Sequence, residues 1–192
     1  MGNPCLDTAG HILIPAESFT GTGSMGQIEA FALPLSATSA PVFTLSAPDI
    51  PCDCHFDSSG NTYVANLSDA PNSVQVFKAP VQSGSAINST ITAAIANPSG
   101  VWTDSSGGVY VSNSSNISAY SSFATGNTLK ATFGTISETN RATLALGPTG
   151  SLYVANGTLS GEIDVYDPPF TNTSTRNASK TITLTTDAFG IP

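Results

Sequence analysis

The chain has 192 residues, 40% of them hydrophobic and only 9% charged, and a formal net charge of −8; this length supports one domain with its own core. The charged fraction lies far below the roughly 25% of ordinary soluble domains, which argues against long surface helices. Five basic residues, Lys78, Lys130, Arg141, Arg176 and Lys180, cannot neutralise a run of phosphates, which excludes nucleic acid as a partner, and no apolar stretch reaches the ~18 residues of a membrane span.

Taken in chain order, the sequence opens with "MGNPCLDTAG", which has neither the basic nor the apolar region of a signal peptide. "LDTAGHILIPA" (6–16) then reads as a turn and a strand, and "GQIEAF" and "PVFTLSA" as two more strands. The same order returns with "IPCDCHFDSSGNTYVAN" (50–66), where Pro51 to Phe56 predicts a first strand and Asn61 to Ala65 a second. Val74 to Phe77 alternates with period two as a third strand should, and "STITAAI" (89–95) predicts the fourth. "TDSSGGVYVSN" (103–113) with "SNISAY" and "KATFGTI" makes a third round; "LGPTGSLYVAN" (146–156) with "GEIDVY" and "KTITLTT" makes a fourth. In the D-S-S-G turn the aspartate bonds the amides of its own turn, and the glycine takes the positive φ that closes a short hairpin.

The two markers of this repeat, Tyr63/Tyr110/Tyr153 and Phe31/Phe77/Tyr120/Tyr166, recur at intervals of 43 to 47 residues. Four strands per unit at that period are the signature of a β-propeller blade. The expected fold is therefore all-β: one propeller domain of four four-stranded repeats, at about 3–50, 51–97, 98–140 and 141–187. Residues 188–192 would begin a further inner strand or a ring-closing one.

The pattern P-x-G-[IV]-x-x-D-x-x-G-x-x-Y-V-x-N, best kept in "NPSGVWTDSSGGVYVSN" (97–113), resembles the NHL-repeat family over nearly the whole chain. The resemblance implies a propeller. It leaves the activity open, because NHL-like propellers include lyases, lactonases and pure binding or scaffold proteins. Four blades are few for such a propeller, so three arrangements are expected: part of a longer array, a closed four-bladed ring with "FGIP" beside the first blade, or an arc completed by another copy.

Cys52-Asp53-Cys54-His55 is the densest cluster of reactive side chains. Repeat alignment sets His55 against Trp102, Ala145 and Cys5, and Cys54 against Val101 and Leu144, all first-strand core positions. In a strand Cys52 and Cys54 point one way and His55 the other, so the three do not converge as a tetrahedral zinc site requires. No metal and no cofactor is expected. A disulfide from Cys5 to Cys52 or to Cys54 requires Cα atoms within about 7 Å.

His11 and His55 are the only histidines, without HxH or ExxH pairing, and Glu29 aligns with Gln75, Ser118 and Asp164 on what reads as a variable solvent face. No catalytic residue is assigned. Asp53, Asn97, Asn140, Arg141 and Asp187 enter the first strands and form a candidate rim for a ligand. Seven N-x-S/T sequons, at Asn66, Asn88, Asn113, Asn116, Asn156, Asn172 and Asn177, offer glycosylation sites.

The expected role is a non-catalytic, extracytoplasmic or secreted scaffold or binding module. Its partners would be a protein, peptide or glycan, with self-association if the arc is open. The alternative is a partial or degenerate NHL-type lyase or lactonase with a channel metal.

Overall fold

A computed structural model of the chain describes residues 2–20, 23–47, 50–67, 71–136, 142–156, 162–170 and 178–183. Four antiparallel sheets follow one another, each a meander of four strands in sequence order. The first holds β1 (Cys5–Leu6), β2 (His11–Thr20), β3 (Gly23–Ala32) and β4 (Phe43–Ser46); the second holds β5 (Ile50–Phe56), β6 (Thr62–Leu67), β7 (Ser73–Phe77) and β8 (Ser89–Ile91). The third holds β9 (Gly100–Thr103), β10 (Val109–Ser112), β11 (Ile117–Tyr120) and β12 (Leu129–Phe133); the fourth holds β13 (Thr143–Leu146), β14 (Leu152–Asn156), β15 (Glu162–Tyr166) and β16 (Lys180–Thr183).

The first strands touch in series, β1 to β5, β5 to β9 and β9 to β13. They are the inner strands of consecutive propeller blades, and the sheets are those blades. Strand register confirms the repeat alignment: Cys5 pairs Leu13, His55 pairs Tyr63, Trp102 pairs Tyr110 and Ala145 pairs Tyr153.

The turn from first to second strand follows from its chemistry. Asp57 accepts from Ser59 N and Asn61 N, both at 2.9 Å, from Asn61 Nδ2 at 2.8 Å and from Tyr63 Oη at 3.3 Å. Gly60 closes the turn at φ 81°. Asp104 does the same in the third blade, taking Tyr110 Oη at 2.8 Å. The fourth blade has Gly147 at that position, and a Cβ there would meet the Tyr153 ring at 2.7 Å. Tyr153 thus occupies the space that a carboxylate fills in the other three blades, where Asp7, Asp57 and Asp104 accept from the amides of their turns.

Among the described residues the core divides into three apolar clusters, one per blade interface. Cys5, Leu13, Ile28, Ala30 and Leu45 of the first blade meet Cys54, Val64 and Phe77 of the second. Tyr63, Ala65, Val74 and Val76 of the second meet Val101, Val109, Val111 and Tyr120 of the third. Tyr110, Ile117, Ala119, Ala131 and Phe133 of the third meet Leu144, Leu152, Val154 and Tyr166 of the fourth. Tyr120 Oη also donates across its interface to the Ala93 carbonyl.

Two expectations need correction. Gln75, Ser118 and Asp164 are buried, so the position aligned with Glu29 is not a solvent face: in the second, third and fourth blades it lies on the side packed against the preceding blade, as Phe77, Tyr120 and Tyr166 of the same strands do. The fourth strand of the second blade ends at Ile91, and Ala94 adopts φ 55° just beyond it. Phe123–Thr125 forms one 3₁₀ turn, capped by Gly126 at φ 82°, a length too short for helical periodicity to register. The "FGIP" segment lies outside the described residues.

Candidate functional site

β5 carries the site, and a bulge sets its aim. Pro51 pairs Asn66 while Asp53 pairs Ala65, which leaves Cys52 as the extra residue. Such a bulge redirects the side chains that follow it. Cys52 is buried, and its thiol donates to the Ile50 carbonyl at 3.4 Å.

Cys54 faces the first blade, where it is bonded to Cys5 with Cα atoms 5.6 Å apart. Of the two pairings left open by the sequence, this is the one present. Asp53 and His55 face the third blade. Val101 N donates to Asp53 Oδ2 at 2.8 Å, and Asn3 pairs Asp53 in a parallel bridge from the first blade. An inner strand has no neighbour on its channel edge, so its amides need side-chain partners, and Asp53 supplies one. Burial pushes the Asp53 carboxyl up to about 7, against the lowering effect of hydrogen bonds from Val101, Cys54 and Asn3.

His55 Nδ1 lies 2.9 Å from Thr103 Oγ1 and accepts from Thr103 N at 3.2 Å. Thr103 Oγ1 donates back to the Phe56 carbonyl at 2.8 Å. The imidazole packs on Trp102 with ring centroids 4.0 Å apart. Burial lowers its pKa to about 4, so His55 is neutral at pH 7.

These residues wall a cavity of about 460 Å³ at the axis, lined from all four blades by residues that include Asn3, Pro4, Asp53, His55, Trp102 and Leu144. A second cavity of about 510 Å³, between the third and fourth blades, is bordered by Trp102, Asp104, Tyr110, Leu146 and Phe170. Asp53 and His55 hold the neighbouring blade, and Cys54 and His55 diverge to opposite interfaces.

Of the five candidate rim residues, Asp53 and Asn97 are described, and the two lie in different places. Asp53 is 8% exposed and belongs to the channel wall. Asn97 is exposed, adopts φ 48° and accepts from Asn72 Nδ2 at 3.3 Å. It is not among the cavity-lining residues. Asn140, Arg141 and Asp187 lie outside the described residues.

Two sequons are structural. Asn66 and Asn113 are each 1% exposed, and Asn113 Nδ2 bonds the Ala94 carbonyl, Asn116 Oδ1 and Ser118 Oγ. A glycan fits neither without unfolding the blade, whereas Asn88 is exposed. Asn3, which lines the cavity, and Thr103, which holds His55, were missed. Their place one blade away from β5 was the signal that could have found them.

Neither a family model nor a curated protein matches this chain. Solved structures do. A protein of unknown function from Bacteroides caccae aligns with a TM-score of 0.59 and 13% identity, covering 94% of this chain and 59% of its own. The major Malassezia sympodialis allergen Mala s 1 gives 0.62 and 17%, covering 91% and 60%. Sqt1 of Chaetomium thermophilum, bound to the N-terminus of the ribosomal protein L10, gives 0.52 and 10%, covering 94% and 63%. The chain spans about three fifths of each of these structures. At such identities the likeness establishes the propeller fold and nothing finer.

Proposed function

We propose that the chain is a non-catalytic binding module of NHL-like repeats that works outside the cytoplasm and takes a protein or peptide segment at its channel. The observation that carries this reading is the axial cavity of about 460 Å³, whose titratable groups are committed to the blade frame. An apolar and aromatic hollow with few polar groups is the usual form of a recognition site. The peptide-bound Sqt1 structure supports the choice of ligand class. The Cys5–Cys54 disulfide supports the compartment, since such bonds persist in oxidising environments.

Trp102 is the chain's single tryptophan and borders the cavity, so its fluorescence reports occupancy. Decapeptides enriched from a random phage-displayed library should give a saturable change in Trp102 emission. They should lose affinity for Trp102→Ala while that variant keeps its fold. Enrichment of no sequence, or enriched peptides that saturate without moving Trp102 emission, refutes docking at the channel. A degenerate lyase or lactonase would instead depend on a divalent ion. A melting temperature raised by Ca²⁺ or Mg²⁺ and restored by chelator would favour that reading.

A further inference from the structure

The cavity between the third and fourth blades sets a carboxylate among aromatic rings. Trp102 pairs Tyr110 in register, and both pack toward the fourth blade together with Phe170. The Phe170 ring stands at 72° to Tyr110 with centroids 5.2 Å apart. These three rings border about 510 Å³ of space, faced from the fourth blade by Leu146, Gly147 and Pro148. Asp104 is the one carboxylate among the described lining residues, and no lysine or arginine is among them. Its Oδ1 accepts from Ser106 N and Gly108 N at 2.8 Å and from Ser106 Oγ at 2.6 Å. Its Oδ2 accepts from Tyr110 Oη at 2.8 Å, and with two lone pairs that oxygen has room for a further donor. Burial works against ionisation of Asp104, but hydrogen bonds from Ser106, Tyr110 and Gly108 outweigh it and hold the carboxyl below its ordinary value. Lys130 is exposed and borders an adjoining cavity that shares Asp104, without an ion pair to it.

We propose that this cavity takes a basic side chain, arginine or lysine, of the peptide partner, with the cation against the Trp102, Tyr110 and Phe170 rings and a hydrogen bond to Asp104 Oδ2. The choice of a peptide rests on the channel-docking reading above, and Trp102 is the link, since it borders both cavities. A cation is drawn to aromatic ring faces, more strongly where water is excluded. Its hydrogen bond to an ionised acceptor is stronger than one between neutral groups. The net charge of −8 favours the same class of partner. A sugar would also stack on the rings, but it would leave the carboxylate charge unanswered.

Backbone amide NMR of the full 192-residue chain tests this pocket apart from the channel, because Gly147 and Gly150 border it and not the axial cavity. N-acetyl-arginine amide or N-acetyl-lysine amide should shift those two amides saturably, and the tighter of the two identifies the side chain. N-acetyl-citrulline amide, which has nearly the shape of the arginine probe without its charge, should bind about tenfold more weakly. Asp104→Asn keeps an acceptor for the turn amides and should weaken the arginine probe to the level of citrulline. Ser105→Lys, a change at an exposed residue beside Asp104, supplies a competing cation and should do the same, so the result does not hang on one variant. Citrulline binding as tightly as arginine, or full affinity in both folded variants, overturns the cation site. Shifts caused by methyl glucoside and by neither cation overturn it in favour of a glycan. Channel-enriched peptides that lack basic residues and bind Asp104→Asn like the parent overturn the link to the channel. Arginine binding here with no peptide enriched at the channel refutes the channel reading and supports this pocket.

Discussion

Asp53 and His55, two residues apart on β5, titrate in opposite directions. The folded Asp53 carboxyl, near 7, sits above its ordinary 3.8. Between those values the folded chain keeps a proton that the unfolded chain has released, so stability falls as pH rises through that window. His55 drops from 6.5 to about 4. The unfolded chain therefore takes up a proton first on acidification, and stability falls as pH falls through 6.5. From 6.5 down to 4 the two effects oppose, each on the order of 3 kcal/mol at about 1.4 kcal/mol per pH unit. Asp53→Asn keeps an acceptor for Val101 N but removes one side of the balance. Urea unfolding of the variant should show roughly 3 kcal/mol of stability lost between pH 6.5 and 4, where the native chain stays nearly level. Parallel curves for the two proteins would show that the carboxyl does not titrate there. The Cys5–Cys54 link, with a sequence separation of 49, should contribute about 4 kcal/mol by restricting the unfolded chain. Cys5→Ser, compared with the oxidised parent by urea midpoint, measures it.

Within a blade, the Asp–Tyr turn lets two strands form a reproducible unit. Replacing Asp57 by alanine leaves the buried Tyr63 hydroxyl and the Asn61 amide without their acceptor, at a cost of about 2 kcal/mol. The second blade should then unfold at lower urea than the parent, whereas Gly147→Asp should not stabilise the fourth blade, because the Tyr153 ring already fills that space. This turn was legible in the sequence because its donors and acceptor lie within seven residues of one another. Tyr63, Tyr110 and Tyr153 marked its period without ambiguity. What lay across an interface was less legible. His55 meets Thr103 from 48 residues away, and the bulge that aims Asp53 depends on the pairing of β5 with β6. Alternation misled at Gln75, Ser118 and Asp164, since period two separates the faces of a strand without saying what covers them.

At the scale of the whole molecule, each blade packs on its sequence neighbours. A fold built this way behaves as a one-dimensional row, in which local stability is set by the unit and its adjacent contacts. Within the described residues the first and fourth blades pack on one neighbour each, and in this 192-residue chain they should open before the two between them. The disulfide breaks that symmetry, because it staples the first blade to the second and leaves the fourth held by packing and hydrogen bonds. Opening should therefore have a direction, entering at the fourth blade and travelling back toward β5. Native-state amide exchange reads it out: protection should fall from β6 and β7 to β14 and β15, with β2 protected above β14 while Cys5–Cys54 is oxidised. Reduction should bring β2 down toward β14, and β14 protected above β2 in the oxidised chain would contradict the scheme. The cysteine pair thus acts as a ratchet pawl on an otherwise reversible row, deciding from which end the propeller is unwound.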